Sequence, residues 1–62
     1  MNKKEIEDKV GIAFSEVVRE IKTLELIILQ HDLRRTQPED RYHLELVLLE
    51  LRERDKERNH HD

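Results

Sequence analysis

Cysteine is absent from this 62-residue chain. That absence excludes disulfides, thiolate zinc sites and cysteine nucleophiles together. With one glycine and one proline, the chain cannot supply the turns of a many-stranded sheet, and no glycine-rich loop precedes a helix to hold phosphate. The longest apolar run falls far short of the ~20 residues that a membrane span needs. Met1-Asn2-Lys3-Lys4 leads into Glu5, Glu7 and Asp8 rather than a hydrophobic stretch, so a signal peptide is not expected. A cytoplasmic protein follows as the expectation. One sign of charge does not dominate: 12 Lys and Arg against 15 Asp and Glu give a net −3, finely interleaved. Nucleic-acid binding rests on clustered cations, and this balance counts against it.

What the chain does have is apolar surface out of proportion to its length. Leu24-Glu25-Leu26-Ile27-Ile28-Leu29 and Leu44-Glu45-Leu46-Val47-Leu48-Leu49-Glu50-Leu51 are two dense runs. Below about 70–80 residues one core rarely supplies more than about 3–5 kcal/mol, and small domains lean on disulfides, metals or oligomerisation. With the first two unsupported, a second chain is the expected cover.

Asn2 is suited to cap a first helix, with Glu5 three residues on. From there a heptad seam runs through Val10, Phe14, Val17, Ile21, Leu24, Ile28 and His31, in steps of four and three. Ile6, Ala13, Val18, Leu26 and Leu29 widen it on its flanks, and Gly11 is its weak point, a place for a fray, a bend or a close helix contact. The spacing predicts one helix over about residues 3–32, a turn at about 33–37 and a second helix over about 38–58, with 59–62 as a disordered tail. Thr36-x-x-Glu39 reads as a capping box opening the second helix, beside Pro38. Leu44, Val47, Leu48 and Leu51 form one stripe of that helix, and Tyr42, Leu46 and Leu49 lie on nearly the opposite face.

The predicted fold is therefore all-α: an antiparallel helical hairpin that dimerises into a four-helix bundle. Val17, Ile21, Leu24, Ile28, Leu44, Val47, Leu48 and Leu51 are its expected dimer core. At about 1.5 Å per residue the first helix would be about 45 Å long against about 30 Å for the second. Its start would then overhang, leaving Ile6, Val10 and Phe14, with Tyr42, Leu46 and Leu49, for a partner protein.

Residues with chemistry are few. His31 and His43 fall on either side of the turn, where a metal or protonation switch is conceivable; the plainer reading has His31 half-buried beside Tyr42 and His43 facing water. His60-His61-Asp62 form a polar terminus that would hold a metal only loosely. Arg34, Arg35 and Arg41 surround the turn with Asp32, Glu39 and Asp40 among them, which favours local pairing and compensation of helix dipoles. Glu45, Glu50 and Glu53 read as a solvated face, since the inward Glu-x-x-His pattern of di-metal bundles is missing. Ser15 has no neighbouring His. No catalytic, cofactor or metal site is expected.

A helical hairpin of this size, with Asn2-Lys3-Lys4-Glu5 at its start and Phe14 in the first helix, resembles in outline the plasmid RNA-binding Rop family. That resemblance implies a dimeric four-helix bundle that binds paired RNA loops through one face of its first helix. The family's face around the phenylalanine is polar and basic, whereas Val10 and Val18 flank Phe14 here and Glu25 stands where a cation would help. The likeness is thus one of architecture. The function expected from the residues is a small non-catalytic regulator, inhibitor or adaptor of bacterial or phage type that binds itself and another protein. A nucleic-acid-binding regulator, or one half of a heteromeric bundle, is the alternative.

Overall fold

The computed structural model describes residues 2–59, which form four helices and, among the described residues, no strand. They are α1 (Lys3–Val10), α2 (Ile12–Glu20), α3 (Thr23–Thr36) and α4 (Arg41–Asn59). The Asn2 Oδ1 accepts a hydrogen bond from the Glu5 N–H at 2.9 Å, so α1 starts at the cap expected of it. The predicted tail lies, apart from Asn59, outside the described residues.

The single first helix expected over 3–32 is instead three helices. The first break is at Gly11, whose φ of +94° and ψ of 158° belong to a region that residues with a Cβ avoid. Its N–H donates to the Glu7 carbonyl at 2.9 Å, closing α1, and its own carbonyl accepts from both the N–H and the hydroxyl of Ser15, at 3.2 and 3.0 Å, opening α2. Nothing lies within 4 Å of the place a Cβ would take. Conformation alone, and not crowding, demands glycine here.

The second break, at Ile21 and Lys22, has no glycine or proline to cause it. Both residues are extended (φ/ψ −71°/157° and −68°/153°), and no side chain caps the start of α3. The carbonyls freed there are met from another helix. The Arg54 guanidinium donates to the carbonyls of Val18 (3.0 Å), Arg19 (3.3 Å) and Ile21 (2.8 Å), and to the Thr23 hydroxyl at 3.1 Å. Its Nε donates to Glu50 Oε2 at 3.0 Å. A planar fork of donors thus satisfies the carbonyls that an interrupted helix leaves unpaired.

Side-chain contacts fix how the helices run. Lys3 Nζ sits 2.6 Å from Glu53 Oε2 and 3.7 Å from Glu50 Oε1, and Lys9 Nζ lies 5.6 Å above the Tyr42 ring, so α1 is antiparallel to α4. The Phe14 ring meets His43 edge-on, centroids 4.5 Å apart, and Val18 meets Arg54, so α2 returns parallel to α4. α3 then runs antiparallel to it, from Thr23 beside Arg54 to the short link before Arg41. All three helices pack on α4.

The core is Ile6, Val18, Leu26, Leu33, Leu46 and Val47, one or two from each helix, ringed by half-buried Val10, Phe14, Ile21, Leu29, Leu44, Leu49 and Leu51. Two corrections follow. There is no overhang, because the break at Gly11 folds α1 back along α4; the longest dimension is 38 Å rather than the length of an unbroken first helix. Ile6 and Leu46, expected to face a partner, are therefore buried within the chain, and Val10, Phe14 and Leu49 are half-buried in its own core. Likewise Val47 is fully buried, and Leu44, Leu48 and Leu51 partly so, by the chain's own helices. Both stripes of α4 have their two neighbours without a second chain.

The turn also lies later than expected. Thr36 is the last residue of α3, its hydroxyl donating back to the Asp32 carbonyl at 2.7 Å, and it caps nothing. Asp40 does that work: its Oδ1 accepts from the His43 N–H at 3.1 Å. Asp is as good an N-cap as Thr, and Pro38 belongs to the link rather than to the helix.

Candidate functional site

With the core assigned, the large apolar side chains left exposed are Ile12 and Val17 on α2, Leu24, Ile27 and Ile28 on α3, and Tyr42 on α4. Along the outer face of α3 stand Leu24 (70% exposed) and Ile28 (61%), flanked by Ile27 (38%), and Val17 on α2 is also exposed (48%). Their spacing explains this. Leu26 and Leu33, seven apart, turn to the core, which places Leu24, Ile28, His31 and Arg35 on the opposite side of a 3.6-residue helix. Val17, Leu24 and Ile28 belong to the expected seam; Ile21, between them, is half-buried where the chain bends. The seam is thus half-buried at Val10, Phe14 and Ile21 and exposed at Val17, Leu24 and Ile28.

The ridge ends in an open cleft of about 580 Å³ lined by Ile28, His31, Asp32, Arg34 and Arg35. Its cations and carboxylate adjoin the apolar line rather than forming a basic field. A smaller cleft of about 370 Å³, between α1 and the start of α4, is lined by Ile6, Glu39, Asp40, Arg41, Tyr42 and Glu45. Tyr42, expected to face a partner, is exposed beside it beneath Lys9.

The two histidines exchange the places expected of them. His31 is exposed on the ridge, while His43 is half-buried against Phe14. The His43 Nδ1 lies 2.6 Å from Asp40 Oδ2. The neighbouring His43 side chain, and then its backbone N–H, hold the Asp40 carboxyl below its ordinary range. His31 and His43 do not form a common site, and among the described residues no three His, Cys, Asp or Glu side chains gather to hold a metal. His60, His61 and Asp62 lie outside the described residues.

Glu50 also departs from expectation. It is only 9% exposed, not part of a solvated face, and bridges Lys3 on α1 and Arg54. The Glu53 carboxylate, chiefly by hydrogen bonding, raises the Lys3 ammonium above its ordinary pKa. Arg54 is the residue on which three helices converge. Its i, i+4 spacing from Glu50 was the available signal; its reach across 31 to 36 residues of sequence was not. Ser15 is buried and spends its hydroxyl on the Gly11 carbonyl.

No helix among the described residues is long and apolar enough to cross a membrane. No protein family, no characterised protein and no solved structure matches the chain.

Proposed function

We propose that this chain is a small non-catalytic protein-binding regulator or adaptor that acts as a dimer, with the α2–α3 ridge as its contact surface. The observation that carries this reading is the exposure of Leu24 and Ile28, with Val17 and Ile27 beside them, on a chain that buries its other large aliphatic runs. Two neighbouring large aliphatic side chains left mostly exposed on one helix face mark a surface available for contact.

The side chains with chemistry have structural employment, which supports a binding role over catalysis: Ser15 bonds the Gly11 carbonyl and His43 packs on Phe14. The interleaving of Arg34, Arg35 and Arg41 with Asp32, Glu39 and Asp40 favours a protein partner over a phosphate backbone. Sedimentation equilibrium tests the reading. A single-chain mass at every concentration, with a cooperative thermal transition, would refute it.

A further inference from the structure

The ridge and the break beside it have a common explanation. A continuous helix through residues 12–36 would bond the N–H groups of residues 22–25 to the carbonyls of Val18, Arg19, Glu20 and Ile21. The observed fold forgoes those four bonds. Intrahelical bonding stops with the Ile21 N–H on Val17 and resumes with the Leu26 N–H on Lys22, and Arg54 compensates three of the carbonyls. No residue at the junction resists helix: Glu20, Ile21, Lys22 and Thr23 include neither glycine nor proline. The heptad seam also passes through in register, from Val17 to Ile21 to Leu24 to Ile28. A straight α2–α3 helix is therefore locally satisfied, and within one chain it is opposed by the packing of Ile6 and Val18 in the core and by the reach of Arg54 to the freed carbonyls.

We infer that Ile21–Lys22 is the hinge of a domain exchange, in which α2 and α3 join into one helix and the α1–α2 arm of each chain packs on α4 of a second copy. This rests on the dimer reading above and names its partner and geometry. In the exchanged dimer the contacts that hold the arm, Ile6 and Val18 in the core and Lys3 on Glu53, form again between chains. The straightened helix would bring Val17, Ile21, Leu24 and Ile28 into one continuous stripe where the two copies cross, covering the ridge. A two-residue hinge between an arm and a body with its own packed partner is the arrangement that invites exchange.

Two experiments on the full chain test this. In the first, isotopically light and heavy protein are refolded together and treated with a carbodiimide, which joins Lys3 to Glu53 through their 2.6 Å contact. Exchange predicts linked Lys3–Glu53 peptides of mixed light–heavy mass at the statistical level, within covalent dimers. The second uses Lys22→Pro. The residue is exposed, its φ of −68° fits the pyrrolidine ring and the ψ of 157° at Ile21 is what a following proline requires, so the bent form accepts it. Within a straight helix the same proline is strongly disruptive. Lys22→Pro should keep its thermal transition while its dimer dissociation constant rises at least about 100-fold. Parent dimers with only same-mass Lys3–Glu53 links, or a Lys22→Pro protein that dimerises like the parent, would overturn the exchange and leave the dimer standing. A parent that is monomeric throughout would overturn both.

Discussion

Replacing Arg54 by lysine separates what its charge does from what its shape does. An ammonium keeps the ion pair with Glu50, now 3.0 Å from Nε, but cannot span three backbone carbonyls as a planar fork does. The lost hydrogen bonds are to a charged donor, generally about 1.5–3 kcal/mol each. The Arg54 side chain retains 20% exposure, and water replaces part of that interaction, so a total loss of about 2 kcal/mol is expected. For a domain of this size about 1 kcal/mol shifts the melting temperature by about 4–8 °C, and the Arg54→Lys protein should melt about 8–16 °C below the parent. Circular dichroism at two protein concentrations is the assay, with Arg52→Lys, an exposed neighbour, as control. Should Arg54→Lys melt with the parent while Glu50→Gln does not, the ion pair rather than the carbonyl cluster holds the bend, and the explanation of the second break is wrong.

Three further outcomes follow from the fold. Asp40→Ala should lower the melting temperature by removing the α4 cap, whereas Thr36→Ala, which loses only a back-bond to Asp32, should melt with the parent; the reverse would put the start of α4 at the sequence-predicted place. The Asp40 carboxyl is depressed below its ordinary value of 3.8 by His43. The folded state therefore binds fewer protons there than the unfolded one, and this contribution is whole above that value and lost as pH falls through the lower folded value. Asp40→Asn, which still caps, should flatten that acid limb of a melting-temperature profile, and an unchanged limb would assign it elsewhere. Gly11→Ala should cost about 1–3 kcal/mol, since φ of +94° with ψ of 158° is all but closed to alanine, and equal denaturant midpoints for the two proteins would contradict the required bend.

Much of this fold was legible locally. Asn2 announced the start of α1, and Gly11 marked a weak point that is a full break because its conformation needs no more than the glycine itself. The apolar runs at 24–29 and 44–51 are helical, as their periodicity implied. What spacing did not reveal was the bend at Ile21–Lys22, since the group that meets its freed carbonyls is Arg54, more than thirty residues away, and heptad arithmetic runs through it undisturbed. That one bend changed the inventory of surfaces. Together with the break at Gly11, which folds α1 along α4 and buries Ile6 and Leu46, assigned to a partner, it left Leu24 and Ile28, assigned to a core, facing water. The seam read as one face of one helix is divided among three helices, with Val10, Phe14 and Ile21 half-buried and Val17, Leu24 and Ile28 exposed. Asp40 was missed as a cap because Thr36-x-x-Glu39 offered a better-known pattern four residues earlier.

The claim that a second copy covers the α2–α3 ridge is tested most directly by sedimentation equilibrium of the parent beside Leu24→Asp/Ile28→Asp. Both side chains are mostly exposed within one chain, so the two carboxylates should leave the melting temperature of the monomer intact while making apposition of two ridges unfavourable. The account predicts a parent mass of about twice 7.6 kDa and a variant that sediments as a folded single chain. A double variant that remains as dimeric as the parent, or a parent that never leaves the single-chain mass, would contradict it.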